Sequence, residues 1–254
     1  MENLKILDNT FAVLELAVMH SPHPLTLGEF MRSTRLSKST CSRLIRFLES
    51  KGYLEHAGSR LGYRAGVRAQ ALGNNMRYNP EFLRIAKPMC LKAAAELHSS
   101  AVISIMRNNH LYYLVHENFS SVKDMGIQQV AYQSLCNTAS GFVLLAYSDA
   151  ETRKYAFDHI IYINGYHLVM DNCFPNMDFF EVLDKVKSDG FASFITPIWG
   201  VSAVPVMIDG KCYAAFASTV PSVEATEETQ AEAVELLQKF SGYISRHVNT
   251  ELIC

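Results

Sequence analysis

The sequence predicts an α+β protein of two parts, a small helical N-terminal domain and a larger domain of strands and helices. Up to about Ser100, apolar residues recur at helical spacing around one short Gly-containing hairpin pattern, whereas strand-like and helical runs alternate beyond it. Charge divides the chain as well. From Glu29 to Gln70, nine lysines and arginines stand against three glutamates, a net of +6, so in a chain of net charge −2 the remainder carries −8. A basic domain attached to an acidic remainder is typical of proteins that contact a polyanion.

Composition indicates a folded, globular protein, because 49% of the 254 residues are hydrophobic and 19% are charged. Six cysteines lie far apart and form no C-x-x-C pair, which argues against a zinc ribbon or a disulfide scaffold and fits a reducing cytoplasm. The N-terminus lacks the pattern of a signal peptide, and no apolar run approaches the ~18 residues of a membrane span. We therefore expect a cytoplasmic protein without a membrane partner.

Two helices are predicted in the first 34 residues. Asp8 can cap the first helix, and its apolar residues recur at the spacing of one buried stripe: Leu7, Phe11, Leu14 and Val18. Thr26 and Glu29 form a capping box that begins a second, short helix, which ends near Thr34.

A third helix is predicted from Ser37, its N-cap, to Gly52, its C′ residue. One of its stripes carries Ser39, Ser42, Arg43 and Arg46. A second stripe, displaced by two residues and therefore by roughly 200°, carries Cys41, Leu44, Ile45 and Leu48. The apolar side can be buried, while arginines and serines on the other side suit base edges and phosphates of a DNA major groove. The alternative interpretation of this pattern is an ordinary solvated amphipathic helix.

A β-hairpin is predicted after the third helix, because two short strand-like pieces flank the Gly-containing segment A-G-S-R-L-G at 57–62. Arg60 lies near its tip and Arg64 on its return strand. Three helices followed by a hairpin predict a winged helix-turn-helix, whose wing arginines would contact the phosphate backbone or the minor groove.

The sequence at this point resembles the IclR-type bacterial transcriptional regulators. Three segments carry the resemblance: L-T-L-G-E-F at 25–30, L-S-K-S-T-C-S-R-L-I-R-F-L-E-S-K-G-Y-L at 36–54 and G-Y-R-A-G at 62–66. The resemblance implies DNA contacts by the start and the polar face of the third helix and by the wing: Ser37, Lys38, Ser39, Thr40, Ser42, Arg43, Arg46, Arg60 and Arg64. It also implies a homodimer or tetramer on a double-stranded operator.

The same resemblance implies three regions: a winged helix-turn-helix domain at 1–66, a linker helix at 67–81 and a GAF-like α/β effector-binding domain at 82–254. The pattern beyond Asn79 agrees with this. Asn79 can cap a helix that Pro88 should kink or interrupt. Strands are predicted at 101–107, 111–117, 203–208 and 213–220, and helix caps at Ser148 with Glu151, Asp178 with Glu181, and Thr226.

A ligand site is predicted where the segment 134–146 enters a helix, because it resembles the family segment beside the ligand cavity. There Thr138, Ala139 and Ser140 offer hydroxyls and backbone N–H groups, which suit an anion. An ordinary capped helix explains the local sequence equally well. The resemblance places the opposite wall at Trp199, Ser202, Ala217 and Thr219. Without lysine or arginine nearby, neutral donors favour a small organic acid, whose apolar remainder would suit the aromatic residues Phe142, Phe194, Trp199 and Phe216.

Motifs of catalysis are absent from the sequence: it has no G-x-S-x-G, no P-loop, no H-E-x-x-H and no Gly-rich dinucleotide turn. We therefore predict no catalytic residue, no metal and no cofactor. The leading hypothesis is a ligand-responsive, DNA-binding transcriptional regulator. The alternatives are a winged-helix module that binds a protein partner, attached to a small-molecule sensor, and an enzyme built on the second domain.

Overall fold

The structure is a computed structural model, and it describes residues 2–58, 61–75, 79–122, 130–131, 135–159, 161 and 166–249. The chain forms two compact units, Met1–Arg77 and Tyr78–Cys254. No helix in the described ranges is long and apolar enough to cross a membrane.

The first unit contains four helices and a two-stranded antiparallel hairpin among its described residues: α1 (Glu2–Met19), α2 (Leu27–Thr34), α3 (Lys38–Ser50), β1 (Leu54–His56), β2 (Tyr63–Ala65) and α4 (Val67–Asn75). Helix α2 begins at the predicted capping box, in which the Thr26 side chain accepts from the Glu29 amide and the Glu29 side chain accepts from the Thr26 amide. Helix α3 begins at Ser37, whose side chain accepts from the Thr40 amide, and is followed by Gly52 at a φ of +75°. The predicted helix-helix-helix-hairpin order is confirmed.

The predicted burial of the α1 stripe holds only for Leu14, which packs against the core of this unit, and is wrong for Leu7, Phe11 and Val18. Val13 and Ala17 pack into the core of this unit, beside Phe30 and Leu44, whereas Leu7 and Phe11 are more than half exposed. The side of α1 that carries Val13 and Ala17 faces α2 and α3. Helical periodicity identifies an apolar stripe but not what covers it.

The wing is fastened to the segment before α2 by paired main-chain hydrogen bonds. The Leu25 amide donates to the Tyr63 carbonyl and the Tyr63 amide donates to the Leu25 carbonyl, both at 2.8 Å. Gly62 makes this approach possible, because its φ is +92° and a Cβ atom there would lie 2.1 Å from the Leu25 carbonyl oxygen.

Replacing Gly62 with alanine should therefore lower the free energy of unfolding by about 2 kcal/mol or more. Urea unfolding of the full chain measures the change. Gly73→Ala is the matched control, since Gly73 lies in α4 with nothing within 4 Å of the added Cβ and should be neutral or gain up to about 1 kcal/mol of helix propensity. Equal unfolding midpoints for the two variants would contradict the argument.

The second unit contains one six-stranded antiparallel sheet with helices on both faces. Its described helices are α5 (Pro80–Glu96), α6 (Ala139–Ala146), α7 (Ala150–His159), α8 (Tyr166–Cys173), α9 (Phe179–Asp189) and α10 (Glu227–His247), with a 3-10 turn at Ser222–Glu224. Its strands are β3 (Ser100–Arg107), β4 (His110–Asn118), β5 (Val130–Ala131), β6 (Ala192–Ile195), β7 (Trp199–Ile208) and β8 (Lys211–Pro221), and they lie in the order β5-β4-β3-β8-β7-β6.

Alternation along the strands gives the sheet two different faces. On one face, α5 and α10 cover a core that includes Ile103, Val204 and Phe216. On the other face, α6 and α9 cover a core that includes Ala203 and Ala217. We call this second face, with α6 lying on it, the effector face, because Ala139 and Ala217 of the predicted ligand site lie there.

Two local expectations are corrected. Helix α5 runs without interruption through Pro88, which sits on its exposed side where water can satisfy the carbonyl that loses its partner. Helix α7 is capped one residue later than predicted: the Asp149 carboxylate accepts from the Thr152 amide at 2.7 Å, while the Ser148 hydroxyl donates to the Leu145 carbonyl. The predicted capping box of Asp178 and Glu181 is present at the start of α9.

Candidate DNA-contact surface and effector face

The two stripes of α3 lie back to back, as the sequence predicts. Cys41, Leu44, Ile45 and Leu48 are at most 4% exposed and belong to the core of the first unit. The opposite side presents a shallow concavity to solvent, and five polar residues line it: Lys38, Ser39, Ser42, Arg43 and Arg46. The core thus fixes the orientation of the polar face.

The two arginines of this face differ in their surroundings. Arg46 donates from Nη2 to the Ser42 hydroxyl at 3.1 Å, one helical turn away, so its guanidinium is drawn along the helix. Arg43 is exposed and forms no hydrogen bond or ion pair with any residue in the described ranges. Its five N–H donors therefore remain available to a ligand.

The start of α3 is a network of hydroxyls. Ser37 caps the helix through the Thr40 amide at 3.3 Å and also donates to the Thr40 hydroxyl at 3.0 Å. Ser39 lies 3.2 Å from the Ser37 hydroxyl. This network holds the first turn of the helix, where backbone N–H groups and the helix dipole favour an anion such as a phosphate.

The wing arginines have different surroundings from the arginines on the polar face of α3. Arg64 pairs with Glu55, its direct neighbour across the hairpin, at 2.7 Å, and the two side chains are 46% and 38% exposed. The pair neutralises part of the charge that a phosphate would meet. Arg60 lies outside the described residues. Arg68, which sequence reasoning did not select, stacks its guanidinium over the Tyr53 ring at 4.8 Å.

The start of α6 leaves two amides without an acceptor in the described ranges. Thr138 is the N-cap: its hydroxyl oxygen accepts from the Gly141 amide at 3.1 Å, and its carbonyl accepts from the Phe142 amide at 3.0 Å. The N–H groups of Ala139 and Ser140 are the remaining orphan donors of the first turn. Both residues are almost completely buried, so the donors lie in a region of low polarity.

A close approach of backbone holds the loop before α6 in place. A Cβ atom on Gly141 would lie 2.2 Å from the Leu135 carbonyl oxygen. Only glycine lets the first turn of α6 press against this loop, so Gly141 helps to set where the two orphan amides lie.

The strand register divides the predicted cavity residues between the two faces of the sheet. Ala217 lies on the effector face, and Thr219 and Trp199 share that face by alternation with Ala217 and Ala203. Ser202 lies on the opposite face, where its hydroxyl is 2.9 Å from that of Ser193. The sheet therefore separates Ser202 from the other members of the predicted set.

Aromatic rings line the effector face beside α6. Phe142, Phe174 and Phe194 form a triad with ring centroids 5.7–6.0 Å apart in edge-to-face geometry. Phe216, which was expected nearby, faces the α5 and α10 side instead and is completely buried there. The apolar wall of the effector face is thus built from α6, β6 and the segment after α8.

Sequence reasoning missed a polar pair on the same face. The Ser100 hydroxyl lies 2.9 Å from Nε2 of His116, and Ser100 is directly opposite Thr219 in the strand register. Both residues follow the alternation that places Val102 on the effector face. Alternation along β3 could have predicted that Ser100 lies on this face. The position of His116 could not be predicted in the same way, because it depends on the register of β4, which a bulge shifts beside Ser104.

The described residues show no arrangement that favours catalysis. No group of three or more His, Cys, Asp or Glu side chains among them could hold a metal ion. Burial raises the pKa of the thiols of Cys90, Cys136 and Cys212 to about 12, which keeps them protonated and unreactive. Ser100 and His116 pair as a nucleophile and a base would, but Ser100 is 0% exposed and lacks the access that a nucleophile needs.

Comparison with known proteins agrees with this geometry. Residues 6–58 match the IclR helix-turn-helix domain. The HTH-type transcriptional regulator TtgV of Pseudomonas putida is 26% identical over 223 residues, which cover 85% of this chain and 82% of the relative.

Solved structures share the fold over nearly the whole chain. An IclR transcriptional regulator from Alicyclobacillus acidocaldarius is 21% identical with a TM-score of 0.74, covering 96% of this chain and 99% of that one. An IclR homolog from Microbacterium hydrocarbonoxydans, complexed with 4-hydroxybenzoate, is 18% identical with a TM-score of 0.68, covering 96% and 98%. Residues 6–58 thus form a DNA-binding helix-turn-helix domain of the IclR type, and the chain is similar over most of its length to IclR-type transcriptional regulators.

Proposed function

We propose that this chain is an IclR-type transcriptional regulator that binds its operator as a homodimer or a dimer of dimers, and that a small organic acid on the effector face changes its affinity for DNA. The exposed polar face of α3, backed by a fully buried apolar face, is the observation that carries the DNA-binding part of the proposal. Operator DNA, a second copy of the chain and the acid are the partners.

The α3 surface supports base recognition by Arg43 and phosphate contacts around it. An unpaired guanidinium can bond O6 and N7 of guanine in the major groove, and a good bidentate contact is worth about 1–3 kcal/mol. Lys38 and the hydroxyls of Ser37, Ser39 and Thr40 surround the helix start, where contacts to phosphate fix position without reading sequence. Arg46 and Ser42 extend this surface by one turn.

Dimer formation is supported by the apolar stripe that α1 leaves exposed. Leu4, Leu7, Phe11 and Val18 are 57%, 51%, 58% and 47% exposed and recur at helical spacing. An apolar stripe that does not enter the core of its own unit suits the matching stripe of a second copy. A two-fold dimer is the usual way for such a module to read a pseudo-palindromic site.

An organic acid is supported by the donors at the start of α6. The amides of Ala139 and Ser140 and the helix dipole favour one negative charge, while the triad around Phe142 suits an apolar remainder. Thr219, on the same face, adds a hydroxyl. The Microbacterium homolog complexed with 4-hydroxybenzoate shows that this fold accommodates an aromatic acid in a related protein.

To alter regulation, the acid must bind the DNA-competent and DNA-incompetent arrangements with different affinity. A coupling free energy of about 1–3 kcal/mol is typical. The test is a mobility-shift titration with the DNA upstream of this protein's own gene, with and without a panel of carboxylic acids. We expect a specific complex whose midpoint shifts with at least one acid. A chain that binds this DNA no better than unrelated DNA would contradict the proposal.

A separate experiment at Thr138 tests the proposal that the carboxylate of the acid binds at the start of α6. Thermal shifts should be larger for an acid than for its neutral amide, and Thr138→Val should reduce the shift because losing the N-cap lets the first turn of α6 fray. Thr138→Ser, which keeps the capping oxygen, should retain most of it. The matched control is Thr226→Val, which removes the N-cap of α10 instead. Equal stabilisation by acids and amides would exclude a carboxylate at the start of α6.

A further inference from the structure

A groove lies between the strand β6, at one edge of the sheet, and helix α10, which covers the face opposite the effector face. Its volume is about 550 Å³, which is within the size range of small-molecule sites in proteins. Phe191, Ile195, Ala231 and Val234 supply the apolar part of its lining. Ile195 and Ala231 are exposed, so a ligand can enter the groove from solvent.

Gln230 is a buried polar residue in the lining of this groove. It is 8% exposed, and its Nε2 donates to the Phe194 carbonyl at 3.2 Å and to the Val201 carbonyl at 2.9 Å. These two bonds fix the side-chain amide and leave its Oε1 as an acceptor, to which no residue that the structure describes donates. The oxygen is not fully enclosed by protein and can therefore be reached from the groove. Since buried polar atoms are nearly always hydrogen-bonded, this oxygen indicates a ligand with a donor.

The charge of the lining indicates the sign of that ligand. Glu227 and Glu235 lie in the lining, and neither forms a hydrogen bond or an ion pair with another residue in the described ranges. The described lining contains no lysine, arginine or histidine. From Glu227 to Gln238 the helix carries four glutamates and no basic residue. A groove with this charge favours a cation over an anion or a neutral molecule.

The spacing of the polar residues along α10 indicates the shape of the cation. Gln230 lies three residues after Glu227, and Gln238 lies three residues after Glu235, so each Glu and Gln are neighbours on the helix surface. The second pair lies eight residues after the first, which corresponds to about 12 Å along the helix axis. Each pair offers a carboxylate and an amide oxygen, which match the three N–H donors of an ammonium group. The apolar lining between the pairs suits an alkyl chain.

We infer that this groove binds a linear aliphatic diamine or polyamine, with one terminal ammonium group at Glu227 and Gln230 and the other at Glu235 and Gln238. The alkyl chain lies along Val234 between them. The inference goes beyond the proposed function and does not depend on it, because α10 and α6 cover opposite faces of the sheet. The buried acceptor of Gln230 and the apolar lining distinguish the groove from an ordinary acidic surface, which attracts cations without selecting their length.

The experiment measures dissociation constants of the full chain by calorimetry for four probes: 1,8-diaminooctane, 1,4-diaminobutane, octylamine and 1,8-octanediol. The first probe has the same number of bonds between its terminal nitrogens as spermidine, and its two ammonium groups can reach both Glu–Gln pairs. We expect it to bind at least tenfold more tightly than the shorter diamine or the monoamine, each of which can occupy only one pair. The diol, which carries no charge, should not bind measurably.

The double variant Glu227→Gln with Glu235→Gln should bind 1,8-diaminooctane at least tenfold more weakly than wild type does. The matched control is Glu228→Gln with Glu232→Gln, which removes the same charge from exposed positions of α10 outside the lining and should stay within threefold of wild type. Equal losses in the two double variants would indicate attraction of counter-ions only and would overturn the inference. A wild-type chain that binds none of the amines at millimolar concentration would overturn it as well. A groove variant whose sedimentation changes while its amine affinity does not would assign the groove to a second copy of the chain instead.

Discussion

A chain carrying both Arg43→Ala and Arg46→Ala should bind its operator no more tightly than it binds unrelated DNA of equal length. Each arginine that makes a good bidentate contact to a base contributes about 1–3 kcal/mol. Because Arg43 and Arg46 are the two arginines that line the polar face of α3, losing both removes every guanidinium group of that lining. Fluorescence anisotropy at fixed salt, with operator and scrambled DNA, measures the ratio of the two affinities.

The single variants should distinguish contacts that recognise the base sequence from contacts that only position the helix on DNA. Arg43→Ala should relax specificity at one base pair, since Arg43 is unpaired in the described structure, and Arg43→Lys should rescue little because lysine lacks the bidentate fork. Lys38→Ala should weaken all sequences alike and reduce the salt slope by about one. Arg246→Ala, an exposed arginine of α10, is the charge-matched control. If the double variant binds the operator as tightly as wild type does, α3 is not the recognition helix.

The wing should contribute less than the sequence suggests. Arg64 is engaged with Glu55, so DNA must compete with an ion pair already formed. Exposed pairs are worth only about 0–1 kcal/mol, which makes the competition possible but reduces the net gain. A sequence shows an arginine on a return strand, but pairing with a glutamate on the facing strand depends on the hairpin register.

Local chemistry made much of this fold predictable. The capping box at Thr26 and Glu29 and the N-cap at Ser37 each combine a short polar side chain with a following apolar stripe, so they located the starts of α2 and α3. The β3–β4 and β7–β8 hairpins turn at Asn108–Asn109 and at Asp209–Gly210, where residues with positive φ match the turns that hairpins favour. These signals lie within a few residues of each other in the chain.

The features of the fold and the site that could not be predicted depend on contacts between segments that are distant in the sequence. The sequence motif predicted Ser202 in the cavity. Side chains alternate between the two faces of a strand, and Ser202 lies on the same face as Val204, which α5 and α10 cover. His116 was passed over because nothing in the sequence joins it to Ser100; the hydrogen bond exists only through the pairing of β3 with β4. The interior of α5 tolerates Pro88 because of its exposure, which again is a tertiary property.

For the α1 stripe, periodicity correctly predicted an amphipathic helix, but its predicted burial is wrong for Leu7, Phe11 and Val18. If the stripe is a dimer contact, Leu7→Glu together with Phe11→Glu should give a monomer at micromolar concentration. The charges would lie in the middle of an apolar contact, where unpaired charge is costly to bury. Sedimentation velocity measures the mass, and a wild-type chain that stays monomeric with and without DNA would exclude the dimer outright.

The same double variant should lose operator affinity by a hundredfold or more, although α3 is untouched. A dimer places two recognition helices on one pseudo-palindrome, so the second binds at a high effective concentration that a monomer lacks. The control is Ala12→Glu, an exposed α1 position about 100° around the helix from Phe11, which should remain dimeric. The buried α1 residues Val13 and Ala17 are unchanged in all variants, so the melting of the first unit should be preserved. A double variant that sediments as a dimer and binds operator like wild type would place the contact elsewhere in the chain.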